Sequence, residues 1–350
     1  MEGRNGQHTA SSAPLPIGVV LPTRNAAALL PAHLEAMRAW LPHVQEVVVV
    51  DSESRDGTRD LLHAALDHPR LRWLDHPPGL YQSWNFGIRR VEAEFCYIST
   101  VGETITLEGL RHLCEVMREF ACDVVVSRPQ FISAKGRPMP PSRWPVHDLI
   151  ETLEVSRPVA LRGEALFVFT LLNFRDAILG SSASNLYRTA TLQRYPFPTD
   201  YGTVGDGAWG LQNCLRIVLG ITPAVVSTFR EHPKSYAKAE YAVDRLRQKM
   251  LEEIRRTFED RAALDPAFAA AADRLEVGRM FELLAAHLAA QERLEAARAS
   301  GQPWILRPAA WSARRRRSRL ERELEGLKRK ALGLIASGQI SSPARGNSFR

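Results

Sequence analysis

The sequence predicts an α/β protein, a mostly parallel sheet flanked by helices and followed by an α-helical C-terminal extension. Three observations carry that expectation. Runs of Val, Ile and Leu recur through the first half, among them Ile17-Gly-Val-Val-Leu21 and Glu46-Val-Val-Val-Val-Asp51, and they are continuous rather than alternating. Strands of that kind are buried on both faces. Helical stretches separate the runs at a steady rhythm, which implies parallel strands joined by crossover helices. Beyond Tyr241 the composition turns to Ala, Leu, Glu and Arg at helical spacing.

In chain order, Ile17–Leu21 reads as the first strand and Leu29–Leu41 as a helix. Glu46–Asp51 is the second strand, with a helix over Thr58–Leu66. Leu71–Leu74 is the third, followed by a helix over Ser83–Val91. Phe95–Ile98 is the fourth, with a helix over Leu107–Phe120, and Asp123–Ser127 is the fifth. Pro129–Pro158 is rich in proline and charge with little periodicity, so a long loop is expected there. Ser184–Tyr187 and Ala224–Thr228 read as further strands, with a helix over Asp206–Leu219 between them. The C-terminal helices break near Asp265-Pro266 and Gly301-Gln-Pro303, and a basic helix runs from Arg314 to about Ala336. The expected organisation is a disordered start (1–15), a sheet domain (16–237), a helical extension (238–336) and a disordered tail (337–350).

Composition bounds the function. Apolar residues make up 45% of the chain and charged residues 24%, values of an ordinary globular protein. No apolar run approaches the roughly 20 residues of a membrane span. The polar start, Met1–Pro14, lacks the charged-then-apolar pattern of a secretory signal. The four cysteines form no C-x-x-C pair and read as buried small residues of a reducing compartment, so a cytoplasmic protein is expected. The formal charge is +7, and +6 of it lies between Arg314 and Lys330, with nine basic residues and three glutamates. The charge therefore belongs to one segment, and with no aromatic platform or recognised motif it gives no reason to expect nucleic-acid binding. Leu320, Leu324, Leu327, Ala331 and Leu334 recur at helical spacing within that basic segment. The pattern fits a helix docking on a partner or, peripherally, on the anionic inner face of a membrane through 314–336. It also fits a salt-bridged helix packed on its own protein.

Ligands of open α/β sheets bind beyond the carboxyl ends of the strands. Four successive strand ends carry polar, glycine-punctuated segments: Pro22-Thr-Arg-Asn25, Asp51-Ser-Glu-Ser-Arg-Asp-Gly-Thr58, Gly79-Leu-Tyr-Gln-Ser-Trp-Asn-Phe-Gly87 and Ser99-Thr-Val-Gly-Glu103. No G-x-G-x-x-G follows the first strand and no G-x-x-x-x-G-K-[ST] occurs, so neither a dinucleotide-binding Rossmann domain nor a P-loop is supported.

The succession P-T-R-N, V-V-D-S-E-S-R-D-G-T, G-L-Y-Q-S-W-N-F-G-I and Y-I-S-T-V-G-E-T resembles the family 2 glycosyltransferases of GT-A fold, over about residues 16–235. The resemblance implies an inverting enzyme that moves a sugar from a nucleotide-diphosphate donor to a hydroxyl acceptor, whether glycan, lipid-linked or other, in polysaccharide or surface-glycan assembly. It implies that Asp51 contacts the donor's base or ribose, a role suited to a carboxylate that accepts hydrogen bonds. Pro22, Thr23 and Asn25 would line the nucleotide pocket, and Asn85 would sit on the loop closing over the donor. Asp56-Gly57-Thr58 is explained by turn and cap chemistry instead.

Two blocks depart from the family pattern. Where the family carries D-x-D or N-S-G-D to hold a divalent cation, Mg²⁺ or Mn²⁺, this chain has Thr100-Val-Gly-Glu103, with one carboxylate. Glu103 becomes the candidate ligand and Thr100 a hydroxyl beside it. Where the family carries E-D, this chain has Gly205-Asp206, leaving Asp206 as the candidate base. Phe229-Arg230-Glu231-His232-Pro-Lys-Ser-Tyr236 resembles the family's R-x-H-x-x-S segment, so His232 is a candidate for the metal and Arg230 for the diphosphate. Two rivals remain at this stage: a nucleotidyltransferase, disfavoured by the lack of a glycine- and lysine-rich first loop, and a GT-A-like module that has lost activity.

Overall fold

A computed structural model describes residues 13–133, 135–140, 144–174, 178–230, 240–299 and 308–337. The first four long strands are β1 (Leu15–Thr23), β2 (Val44–Asp51), β3 (Leu71–Asp75) and β4 (Phe95–Ile98). They pair in parallel in the order β3-β2-β1-β4, joined by α1 (Leu30–Met37), α2 (Thr58–Ala65) and α3 (Leu80–Ile88). Register sets Val19 beside Val47 and Thr23 beside Asp51. Alternation then divides the valines between two cores. Val20, Val48 and Val50 pack with Ile88 and Ile98 on one face, and Val19, Leu21, Val47 and Val49 with Leu30, Leu34 and Trp40 on the other. Burial on both faces is what the continuous apolar runs required.

The short β5 (Thr104–Ile105) and the 13-residue α4 (Leu107–Glu119) lead to β6 (Val124–Ser127) and β7 (Gln130–Ile132). Next come α5 (Pro145–Thr152), β8 (Val159–Leu161), α6 (Gly163–Leu172), β9 (Asn185–Arg188), α7 (Thr189–Arg194), α8 (Gly205–Asn213), β10 (Leu219–Thr222) and β11 (Ser227–Arg230). The large sheet continues β4-β9-β6-β10-β8, with β9 antiparallel to both neighbours and β8 antiparallel at the edge. A small sheet of order β5-β11-β7 sits beside it.

Several elements differ from the sequence expectation. The stretch 129–158 holds β7 and α5 among its described residues. The helix expected to reach Leu219 ends at Asn213, where the amides of Arg216 and Ile217 turn back onto the Asn213 carbonyl. The chain then enters β10, and the strand expected at 224–228 begins at Ser227. The third helix starts at Leu80, three residues early, which adds Leu80, Tyr81 and Gln82 of the Gly79–Gly87 segment to the helix. Helix α6 is apolar on every side and buried from Ala165 to Leu171, the condition of a helix enclosed by other elements.

The extension comprises α9 (Glu240–Leu264), α10 (Pro266–Arg274), α11 (Val277–Ala299) and α12 (Pro308–Ala336). Asp265 makes the break between α9 and α10, accepting from the amides of Ala267 and Phe268 at 3.1 Å each, with Pro266 at the first helical position. Leu320, Leu327, Ala331, Leu332 and Ile335 of α12 are buried, and Leu324 and Leu334 pack against the same core. The apolar stripe of the basic helix is therefore occupied by its own protein, α11, α6 and α5, and Lys328 reaches Asp148 of α5 at 2.7 Å. One apolar cluster runs from Val20 of the sheet to Ile335, so the extension completes the sheet's core. The expected boundary at 237/238 and most of the expected disordered ends lie outside the described residues. Among the described residues no helix is long and apolar enough to cross a membrane.

One acid sits where strands are otherwise apolar. Glu46 of β2 is fully buried and accepts from the amides of Glu92 and Ala93 at 2.7 Å each, with Arg72 paired to it. It reaches them past Gly18 of β1, where a Cβ would stand 2.4 Å from Val91 Cγ1 and 3.1 Å from Glu46 Oε1.

Candidate active site

Parallel register brings the ends of β1, β2 and β4 to one edge, and the loops that follow are tied to each other. Asp51 is buried and accepts from Ser54 Oγ at 2.6 Å, the Ser54 amide at 3.1 Å and Thr23 Oγ1 at 3.2 Å. Arg59 Nε lies 4.0 Å away, with its other end on Asp75. Asn25 adopts φ 48°, a left-handed conformation Asn tolerates. Its amide donates to Ser54 Oγ and its Oδ1 accepts from the Arg55 amide, both at 2.9 Å. The next two amides, Ala26 and Ala27, donate to Thr58 Oγ1 and Asp56 Oδ2. The Thr58 hydroxyl is the main cause holding the Asp56 carboxyl below the ordinary carboxylate range. Thr23, Asn25 and Asp51 are thus one hydrogen-bonded shelf, with the partly exposed Pro22 at its edge.

The loop after β4 is built differently. The Gly102 φ of 97° turns Glu103 inward, where it is buried and accepts from the Ser181 hydroxyl. Burial pushes the Glu103 carboxyl up to about 7, with the Ser181 bond opposing. Its backbone carbonyl accepts from His33 Nδ1 at 2.8 Å, which fixes the tautomer and leaves His33 Nε2 to accept from the Ser99 hydroxyl at 3.0 Å. Burial lowers His33 to about 4, so the ring is neutral at pH 7. Thr100 is partly exposed, and its carbonyl accepts from the Glu103 amide at 3.1 Å. Arg230 of β11 spans the Gly102 and Ser133 carbonyls at 3.3 Å each, so it holds this loop. His232 lies outside the described residues.

Asp206 opens α8, partly exposed. Burial raises its pKa, opposed by the Gly207 amide at 2.7 Å and by the Tyr81 hydroxyl. A raised pKa makes a carboxylate a better proton acceptor near neutrality. The Tyr81 hydroxyl also reaches the Thr203 carbonyl at 3.3 Å. Asn85 departs from its expected place on a closing loop. It is buried within α3, with Nδ2 on the Phe197 carbonyl at 2.7 Å and Oδ1 on the Phe197 amide at 3.0 Å. Both ends of its amide are spent on pinning the chain before α8.

Residues 18–174 match the family described as Glycosyl transferase family 2. These residues form a family 2 glycosyltransferase domain. Among solved structures, the glycosyltransferase is similar to residues 1–349 of S. aureus TarS in complex with UDP-GlcNAc, at 15% identity and TM-score 0.56 over 96% of this chain and 93% of that one. It is similar to a longer S. aureus TarS chain at 15% identity and TM-score 0.51, over 96% of this chain and 56% of that one. The mannosyltransferase PcManGT from Pyrobaculum calidifontis, in complex with GDP-Man and Mn²⁺, aligns at 18% identity and TM-score 0.49 over 95% and 91%. No curated protein matches. The fold is of GT-A type.

Both departures of the glycosyltransferase from its family pattern have a physical setting. At Gly205, a Cβ would stand 2.5 Å from Tyr81 Cε2 and 2.8 Å from the Pro198 carbonyl, so the position has no room for the acid the family carries. At Glu103, the single carboxyl is turned onto Ser181. Among the described residues no group of three or more His, Cys, Asp or Glu could hold a metal ion. Glu103 alone is too few ligands for a divalent cation, and the other candidate ligand, His232, lies outside the described residues.

His33, Ser181, Tyr81 and Ser54 were not singled out from sequence. His33 had a local signal, a polar residue on the apolar face of a predicted helix. Ser181 had none, because its partner lies 78 residues away.

Proposed function

We propose that the protein is an inverting transferase that takes a sugar from a nucleotide-diphosphate donor to a hydroxyl acceptor, with Asp206 as the base. The observation that carries this reading is the raised basicity of Asp206 at the start of α8, on a GT-A fold whose first strand ends form a hydrogen-bonding shelf. The acceptor oxygen bonds to the anomeric carbon, its proton passes to Asp206, and the bond from that carbon to the diphosphate oxygen breaks with its electrons leaving on the diphosphate. Attack from the face opposite the leaving group inverts that centre.

Asp51 receives the donor's nucleoside. An ionised carboxylate has about four acceptor sites, and Thr23 and Ser54 supply three hydrogen bonds, leaving one for an imide N–H or a ribose hydroxyl. Pro22, Thr23 and Asn25 shape the shelf beneath it. Arg230 brings a positive charge to the Thr100–Glu103 loop, on the side assigned to the diphosphate. A protein of this fold, TarS, holds UDP-GlcNAc, which supports a nucleotide sugar as the donor class. Asn85 acts through the Phe197 segment. Titrating nucleotide diphosphate with Mn²⁺ or with chelator tests whether a cation joins the donor, and tighter binding with Mn²⁺ would assign Glu103 and His232 to a metal site.

The setting the family resemblance implies is surface-glycan assembly by a cytoplasmic enzyme. A peripheral membrane contact of residues 314–336 would rest on charge alone, through the exposed Arg315, Arg316 and Arg322. Binding to anionic vesicles that survives high salt would contradict that account.

The experiment that tests the donor class is a thermal-shift panel of nucleotide diphosphates and nucleotide sugars. A ligand at 100 times its Kd stabilises a protein by about 2.7 kcal/mol. No shift with any member would leave the non-catalytic module as the better reading.

A further inference from the structure

Behind the candidate active site, α7, α8 and α9 border an open pocket of about 460 Å³, within the range of small-ligand sites. Arg194, Arg216 and Arg256 line it together with Tyr195. The guanidiniums of Arg194 and Arg216 lie 5.2 and 5.5 Å from the centre of the Tyr195 ring, close enough for cation–π contact to hold them in place. Among the described residues, no carboxylate pairs with any of the three arginines. The one acid on the wall, Glu253, is bonded to the Tyr201 hydroxyl and lies 3.8 Å from Lys249 Nζ.

Three arginines bordering one pocket without a paired carboxylate leave an excess of positive charge there, and an anion bound among them offsets it. Their planar forks match phosphate oxygens better than a point charge does. The remaining wall is mixed. Tyr195 and Pro196 offer apolar surface for the C–H face of a sugar, and Gln212 and Thr257 offer hydrogen bonds for its hydroxyls. At 3.6 residues per turn, Ala208, Leu211 and Gln212 fall on the side of α8 away from Asp206, so this cavity is separate from the reacting centre.

We propose that this cavity binds a phosphate-bearing saccharide. The phosphate sits among Arg194, Arg216 and Arg256, and the sugar rests against Tyr195 and Pro196. The ligand comes either free, as a sugar phosphate, or as a phosphate-bearing unit of a longer glycan.

Calorimetric titration of the full chain at low salt with glucose 1-phosphate, inorganic phosphate and glucose tests this without any transfer reaction. It therefore stands or falls separately from the proposed activity. Glucose 1-phosphate should bind, glucose should not, and inorganic phosphate should bind at least several-fold more weakly. Arg216→Ala and Arg256→Ala should each weaken glucose 1-phosphate binding tenfold or more, while Asp51→Asn, on the donor shelf, should leave it unchanged. All three arginines are exposed, and unchanged melting temperatures would confirm that the variants fold. A phosphodiester-linked disaccharide that binds more tightly than glucose 1-phosphate assigns the glycan source; weaker binding assigns the free sugar phosphate. Absence of binding to the natural sequence, or binding indifferent to both arginine variants, overturns the site. Equal affinity for inorganic phosphate overturns its assignment to a saccharide.

Discussion

The donor shelf and the Asp206 end of the site are built from opposite materials. The shelf is polar: amides of the loop after β1 donate to side chains of the loop after β2, and Asp51 gathers Thr23 and Ser54. The Asp206 end is aromatic. Tyr81, Trp84, Phe197, Trp209 and Tyr187 form a connected set of rings with centroids 5.2 to 6.3 Å apart, and Gly205 is pressed against Tyr81. A hydrogen-bonded shelf fixes direction and can exchange a protein partner for a ligand's. An aromatic box fixes volume, and its single charged group gains basicity from being enclosed. Changes at the first end should therefore be read in affinity, and changes at the second in turnover or stability.

The largest effect tests the aromatic end. Asp206→Asn keeps the size of the side chain and removes its basicity, so turnover should fall about 10²–10⁴-fold while donor affinity holds. Near-normal turnover would take Asp206 out of the mechanism. The shelf should answer in the other currency. Asp51→Asn loses hydrogen bonds to a charged group, about 1.5–3 kcal/mol each, and donor affinity measured by calorimetry should drop tenfold or more. Asn85→Ala sharpens the contrast, because it leaves the Phe197 amide and carbonyl unpaired. Denaturant unfolding should register a loss of about 1–3 kcal/mol with donor affinity unchanged. A large loss of affinity with little loss of stability would return Asn85 to the donor.

A comparable cost is expected at Gly205. Gly205→Ala drives a methyl into the Tyr81 ring and the Pro198 carbonyl, and overpacking of this kind costs about 1–3 kcal/mol. Reintroducing the family's acid as Gly205→Glu should lower the melting temperature and gain no activity. An active, stable Gly205→Glu enzyme would show that the box yields easily.

The smallest effect is a slope. Glu103 titrates at about 7 when folded against 4.5 for the free side chain, so the folded chain keeps a proton that the unfolded chain loses. Stability from this group falls as pH rises from about 4.5 to about 7. His33, lowered from 6.5 to about 4, acts in the opposite sense, and its contribution is lost as pH falls through that range. Glu103→Gln keeps an acceptor for Ser181 and removes one of the two slopes. Unfolding free energies at pH 5, 6 and 7 should then rise more steeply with pH than in the natural sequence, by no more than about 1.4 kcal/mol per pH unit. An unaltered profile would place Glu103 in an ionised state throughout.

The half of the fold that was legible in sequence is the half built from local patterns. Val47 to Val50 announce a strand buried on both faces, and Asp265-Pro266 announces a helix start. Short elements hidden inside longer signals were not legible. The four residues of β10 follow a helix whose apolar spacing runs on past Asn213, and the early start of α3 needed the observation that Tyr81 packs inward as part of a helix. The site divides the same way. Thr23, Asn25 and Asp51 were legible because they end predicted strands. The partners that set the chemistry of Glu103 and Asp206 were not, since Ser181 and Tyr81 lie 78 and 125 residues away in the chain. The basic helix was legible as amphipathic, but its spacing alone did not say that its own protein supplies the surface it covers.

Glu46 adds a consequence for assembly. Its carboxylate crosses beneath β1 from β2 to the amides that precede β4, through the gap that Gly18 leaves. Those two strands are not neighbours, so the crossing closes only when the strand between them is correctly seated. If β1 slipped by one residue, alternation would bring the side chain of Ile17 or Val19 into the gap and cut the buried carboxylate off from its two amide partners. The acid thus acts as a proofreading device during folding, passing one alignment of the central strand and rejecting those on either side.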